Sequence, residues 1–181
     1  MNQALNAPGT HAPVQDFTDC HTGIMRKLDL LGELPMLLEP AARAREIAVT
    51  ALEFFREVIF EHHLDEERDL FPAVLASAQE GDESDRVAAL ASQLTHEHRE
   101  LESAWKRLEP GLKKIAKGQF SRIELGEVER LVRQYRNHAQ FEEREFLPLA
   151  QQILGRDSNH MAALGLSLHM RHRPLKPATY I

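Results

Sequence analysis

The 181-residue chain is predicted to be all-α, an up-down-up-down four-helix bundle with a short extra C-terminal helix. Apolar residues recur every three or four positions over most of residues 14–154, and no stretch alternates with the period of two that marks a half-buried strand. Glycine and proline separate the periodic stretches. We therefore expect the bundle to cover residues 14–154, with a flexible tail at residues 1–13 and a short helix and tail at residues 155–181.

Helix boundaries follow from local end signals. In chain order, the predicted helices run from about Gln15 to Gly32, Pro40 to Gly81, Ser84 to Lys117 and Ser121 to Leu154, with a fifth from Asp157. Pro35 and Pro40 mark the first break, because proline disfavours a helix interior. Gly118 is a typical C-terminal stop, and Ser121 with Glu124 has the spacing of a capping box.

Composition argues against several classes of partner. Lys and Arg total 22 against 28 Asp and Glu, and a net charge of -6 disfavours nucleic-acid binding. Cys20 is the only cysteine, which rules out an internal disulfide or a thiolate-rich metal site and fits a reducing compartment. The first residues lack the apolar core of a signal peptide, and no run of about 18 apolar residues occurs. We expect a cytoplasmic protein without a nucleic-acid or membrane partner, while protein partners stay unknown.

Each predicted helix carries a histidine on its apolar stripe. The stripes are Val14, Phe17, His21, Ile24, Leu28 and Leu31; Phe55, Val58, His62, Glu66, Leu70 and Ala73; Val87, Leu90, Leu94, His98, Leu101, Trp105 and Leu108; and Leu131, Tyr135, His138, Glu142, Phe146 and Leu149. Helices two and four each add a glutamate one turn after the histidine, on the same face. Six ionisable side chains are thus predicted to point into the core.

An internal repeat selects between two adjacent histidines on helix two. The segment from His62 to Pro72 resembles the segment from His138 to Pro148, and His63 falls opposite Ala139. A second match aligns His21 with His98 at nearly the same spacing. The repeat therefore indicates His62 as the inward residue.

A metal centre accounts for these groups better than core packing does. A single core histidine is usually structural, but two buried carboxylates without a cation would each cost at least several kcal/mol, against a total stability of about 5–15 kcal/mol. Imidazole and carboxylate donors without thiolate suit iron or manganese and also permit zinc. Because six such side chains would crowd one ion, we predict two ions bridged by the glutamates. A metal-free structural bundle is the disfavoured alternative.

These residues resemble the hemerythrin-like family, the HHE cation-binding domains, over about Val14 to Leu154. Its hallmark is a histidine on helix one, His-x-x-x-Glu on helix two, a histidine on helix three and His-x-x-x-Glu on helix four. The resemblance implies two non-haem iron ions, oxo- or hydroxo-bridged when oxidised. It assigns terminal ligands and bridging carboxylates as follows: His21, His62, His98 and His138 are terminal, and Glu66 and Glu142 bridge.

The resemblance also implies a function. Oxygen-carrying members have a further histidine where this chain has Leu94, so we expect an open iron position rather than reversible oxygen carriage. The chain is expected to bind or sense a small ligand (dioxygen, nitric oxide or peroxide) or iron itself. The alternative is a di-iron enzyme that detoxifies peroxide or nitric oxide.

Three further side chains have more than one possible role. His63 is expected to pack at the helix interface, with a role as hydrogen-bond donor to a ligand or as a replacement ligand left open. Glu67 and Glu143 are expected to be solvated, and the alternative is a hydrogen bond to a metal ligand.

Overall fold

The computed structural model describes the backbone of residues 13–156 and the side chains of residues 19–156. The α-helices are α1 (Pro13–Phe54), α2 (Phe60–Asp65), α3 (Phe71–Ser77), α4 (Asp82–Ala116), α5 (Leu125–Phe141) and α6 (Leu147–Leu154). Three π-helical segments lie between them: π1 (Phe55–Ile59), π2 (Glu66–Leu70) and π3 (Glu142–Phe146). The all-α prediction is confirmed. The predicted helix from Asp157 and the tail up to residue 12 lie outside the described residues.

The predicted break between helices one and two is not found. Helical structure continues from α1 through π1, α2 and π2 to the end of α3, and Pro35 and Pro40 lie inside α1. Each proline removes one backbone donor, but the surrounding Leu, Met, Glu and Ala residues are strong helix formers. Residues 13–156 therefore form three continuous helical stretches, and the predicted count of four helices is not confirmed.

The described residues fall into two compact units that divide between Ala44 and Arg45. In the first unit, the predicted apolar stripe of helix one is exposed at Ile24, Leu28 and Leu31. The second unit contains the buried core and all the groups discussed below.

Two apolar clusters make up this core. The first contains Phe71, Val74, Val87, Leu94, Phe146, Ala150, Ile153 and Leu154, and the second contains Leu101, Ala104, Trp105, Leu108 and Leu131. Phe55 extends the second cluster by stacking on Trp105, with ring centroids 3.8 Å apart. Along α4, Leu94 belongs to the first cluster and Leu101 to the second, so the buried His98 lies between them in sequence.

Both ends of α4 are set by glycines in the left-handed region, which other residues rarely adopt. Gly81 has φ 100° directly before the first residue of the helix, and Gly118 has φ 71° after its last turn. The backbone N–H of Gly118 donates to the Ile115 carbonyl, and that of Gln119 donates to the Lys114 carbonyl. The predicted stop at Gly118 is confirmed.

The inward face of the helix that contains α2 and α3 is displaced by one residue from the prediction. The side chains predicted there were Val58, His62, Leu70 and Ala73, whereas those buried are Ile59, His63, Phe71 and Val74. In π1 the N–H of Phe60 donates to the Phe55 carbonyl, and in π2 the N–H of Phe71 donates to the Glu66 carbonyl. The i→i+5 turn of π1 contains one residue more than an α-turn, so the side chains directly after it rotate by about one position, or ~100°. Glu66, the first residue of π2, is buried as predicted.

Candidate metal centre

Two groups of potential metal ligands lie in the second unit. His63, His98 and His138 form the imidazole group, and His62, Glu66 and Glu142 form the carboxylate group; within each group the ligand atoms lie within 4.8 Å of one another. Glu66 connects the groups: its Oε1 is 3.0 Å from His62 Nε2, and its Oε2 is 3.2 Å from His98 Nε2.

The structure brings five of the six predicted site residues into these groups, namely His62, Glu66, His98, His138 and Glu142. The sixth, His21, is exposed on α1 in the first unit and belongs to neither group. Its role as a ligand stays a prediction.

Carboxylates from other helices orient two of the imidazoles. His98 Nδ1 lies 2.8 Å from Glu67 Oε1, and His138 Nδ1 lies 3.0 Å from Glu97 Oε2. Arg99 binds the second oxygen of Glu67 and holds that carboxylate in place. Since an ionised carboxylate only accepts hydrogen bonds, Nδ1 of each ring carries the proton and Nε2 presents its lone pair. Such carboxylate–histidine pairs are typical of metal sites.

The buried polar atoms of the centre fit a bound cation. The Nε2 atoms of His98 and His138, both ring nitrogens of His63 and both oxygens of Glu66 find no hydrogen bond of normal geometry among the described residues. A buried polar atom left in this state costs about 1–3 kcal/mol. Coordination would remove these costs, and the donors are those that iron, manganese and zinc accept.

The two buried carboxyl groups favour different protonation states without metal. Burial and the charge of Glu66 raise the pKa of Glu142 to about 8. Burial also opposes ionisation of Glu66, but its contact with His62 is the leading opposing cause, and the pKa of Glu66 is held below the usual range. The metal-free pair is therefore expected to keep one proton, on Glu142, at neutral pH.

Two members of the imidazole group, His63 and His138, are expected to be neutral, as metal ligands must be. Burial, followed by the proximity of His98, lowers the pKa of His63 to about 3. Burial also lowers the pKa of His138, although Glu97 opposes that effect. His62 differs, since its contact with Glu66 raises its pKa.

These pKa shifts predict how the stability of metal-free protein depends on pH. Between about 4.5 and 8, folded Glu142 retains a proton that the unfolded chain has lost, so the free energy of unfolding falls as the pH rises. Between about pH 3 and pH 6.5, His63 has the opposite effect: the unfolded chain binds a proton that folded His63 does not, so the free energy of unfolding rises with pH. From pH 6.5 to 8 we expect a decline of up to about 1.4 kcal/mol per pH unit for the Glu142 proton. Denaturant unfolding in chelator should show this decline, and Glu142→Gln should remove most of it; an equal decline in the variant would contradict the assignment.

The hydrogen bond from His98 to Glu67 gives a second prediction. Glu67→Gln should weaken metal binding by about 10–100-fold, because the amide is a poorer acceptor for Nδ1–H and leaves the ring less basic. The matched control is Glu143→Gln, since Glu143 occupies the corresponding place in the repeat but is exposed. Competition with a chromophoric chelator measures both affinities. Equal affinities for the two variants would show that Glu67 does not support the centre.

The sequence left roles in the centre for His63 and Glu67 as alternatives and gave no indication of Glu97. Glu67 directly follows Glu66, and Glu97 directly precedes His98, but each binds a ring on another helix. Contacts between helices leave no trace in the periodicity of one helix. The adjacent pair His62-His63 was the available signal for His63, but the repeat favoured the first member.

A helical domain with a buried cluster of histidine and carboxylate side chains is typical of one class of metal-binding proteins. The comparisons agree with this class: residues 12–150 match the model of the hemerythrin HHE cation-binding domain, and the chain belongs to that family. An uncharacterized protein of Haemophilus influenzae is 27% identical over 158 residues, which cover 83% of this chain and 88% of that protein. No solved structure matches the chain. Family membership and the two ligand groups together suggest iron as the bound metal.

None of the helices within residues 13–156 has an apolar stretch long enough to cross a lipid bilayer.

Proposed function

We propose that the chain is a non-haem di-iron protein that binds or senses a small ligand (dioxygen, nitric oxide or peroxide) or iron. Its proposed ligands are His21, His62, Glu66, His98, His138 and Glu142. Two ions are proposed because the ligand atoms form two groups with Glu66 between them, within ion-pair distance of a histidine from each.

The observation that carries the small-ligand proposal is an open cleft beside the carboxylate group. The cleft has a volume of about 420 Å³ and is lined by residues that include His62, Glu66, Tyr135 and Glu142. The His62 side chain is 40% exposed, whereas that of His98 is fully enclosed. A small molecule from solvent can thus reach the carboxylate group through this cleft.

The side chains around the cleft suit a small polar ligand. Bound iron would supply redox and Lewis-acid chemistry there. Burial and the charges of Glu66 and Glu142 raise the pKa of Tyr135, so its hydroxyl stays protonated and can donate a hydrogen bond. An enzyme that reduces nitric oxide or decomposes peroxide is the second candidate, because both reactions release water and so need proton transfer to an oxygen atom, and Tyr135 places a proton donor in the cleft.

Titration of anaerobic, iron-loaded protein with nitric oxide or peroxide tests the two candidates. A binding protein should show a spectral change that saturates near one ligand per centre and reverses when nitric oxide is removed. An enzyme should consume many equivalents per chain, of nitric oxide when a chemical reductant is added to supply its electrons, or of peroxide alone, which can disproportionate to water and dioxygen. Tyr135→Phe should slow that consumption while leaving the metal content unchanged. If none of dioxygen, nitric oxide and peroxide changes the spectrum or is consumed, the small-ligand proposal is wrong.

A further inference from the structure

We infer that His63 is a metal ligand that completes a three-imidazole position with His98 and His138, so that the two ion positions of the centre are chemically unlike. This inference rests on the proposed dinuclear centre and adds a residue to it. The carboxylate group would form the second position.

The position of the His63 ring is the first argument. His63 is 2% exposed, and its ring lies parallel to that of His98, with centroids 3.9 Å apart and planes 5° apart. The centroid of the His138 ring is 5.6 Å away. One nitrogen from each of the three rings lies within 4.8 Å of the corresponding nitrogens of the other two. Because an imidazole donates its lone pair in the plane of its ring, the two stacked rings would turn out of parallel when their nitrogens bind a common ion.

The polar atoms of His63 argue against a purely structural role. A neutral imidazole has one N–H donor and one lone pair, and buried histidines normally satisfy both. Neither ring nitrogen of His63 has a hydrogen-bond partner among the described residues. A phenylalanine ring would fill the same space and stack on His98 without burying two unsatisfied nitrogens. A metal ion supplies a partner for one of the two nitrogens.

Each of the two neighbouring imidazoles has a ring nitrogen available for such an ion. Glu67 and Glu97 bind Nδ1 of His98 and His138 and leave Nε2 of both rings available. Three imidazoles form a borderline donor set that suits zinc and ferrous iron, whereas the carboxylates of Glu66 and Glu142 favour harder cations. The two positions should therefore differ in affinity and in metal preference.

Zinc titration of metal-free protein, followed by calorimetry and metal analysis after dialysis, tests the inference. Wild-type protein should bind two ions with different affinities. His63→Phe should weaken the tighter position for zinc by more than about 100-fold, because loss of a ligand should exceed the 10–100-fold effect of losing a ligand's outer partner. The matched control is His96→Phe: His96 is exposed on the same helix as His98, and this variant should bind as the wild type does.

The outcomes separate this inference from the proposed function. Two ions bound to His63→Phe with wild-type affinities would overturn the role of His63 and leave the dinuclear centre intact. If the wild type binds only one ion, the two-ion proposal fails, and the effect of His63→Phe on that ion still decides the role of His63.

A measurement on the wild type avoids any folding defect of the variant. In protein labelled with ¹⁵N-histidine, zinc should move the resonance of one ring nitrogen of His63 along with those of His98 and His138. Unchanged His63 nitrogen resonances at saturation would overturn the inference.

Discussion

Glu66→Ala is expected to remove metal from both positions of the centre. In the wild type, Glu66 Oε1 lies 3.0 Å from His62 Nε2 and Glu66 Oε2 lies 3.2 Å from His98 Nε2. Because these two histidines belong to different ligand groups, the variant loses a donor to each ion. We expect metal affinity to fall by more than about 100-fold at both positions, because loss of a ligand should cost more than the roughly 10–100-fold that follows loss of a hydrogen-bond partner of a ligand. Metal analysis after dialysis should find close to no bound ion.

Glu143→Ala is the control for this experiment, because Glu143 is an exposed glutamate beside Glu142. It should retain the wild-type metal content. If Glu66→Ala kept one ion at wild-type affinity, Glu66 would serve a single position, and its role as the connecting ligand would be refuted.

Removal of metal should lower the melting temperature by on the order of 10 °C. A ligand present at about 1,000 times its dissociation constant stabilises the folded state by about 4 kcal/mol, and each kcal/mol shifts the midpoint by roughly 2–4 °C at this chain length. Without metal, the buried Glu66 and Glu142 carboxyls face each other with no cation between them. The loss of helical circular dichroism on heating, with and without chelator, measures the shift.

Glu66→Ala provides an internal control for the melting experiment, since its midpoint should not respond to chelator. An unchanged midpoint in chelated wild-type protein, with loss of the metal verified by analysis, would contradict a buried centre.

Periodicity predicted α4 and α5 well, because neither helix contains a π-turn before its site residues. On α4, Leu94, His98 and Leu101 are buried as a period of 3.6 residues requires. His138 in α5 and Glu142 directly after it are likewise buried one turn apart, as predicted. Apolar stripes alone were sufficient at these positions.

The prediction failed where the helix departs from α geometry or where contacts cross between helices. π1 displaced the inward face, so His63 is buried where His62 was expected, and composition gives no reliable sign of an i→i+5 turn. π2 and π3 begin at Glu66 and Glu142, the glutamates of the two His-x-x-x-Glu motifs. A local widening of the helix at a functional residue depends on tertiary context, which a single helix does not reveal.

Iron stoichiometry tests the central claim most directly. Metal-free protein loaded with ferrous iron under anaerobic conditions and then desalted should contain two irons per chain, and Mössbauer spectra after oxidation should show a spin-coupled pair. Glu66→Ala, treated in the same way, should contain almost none. One iron per chain with the spectrum of an isolated ion, or equal iron in the wild type and in Glu66→Ala, would contradict a di-iron centre built on these residues.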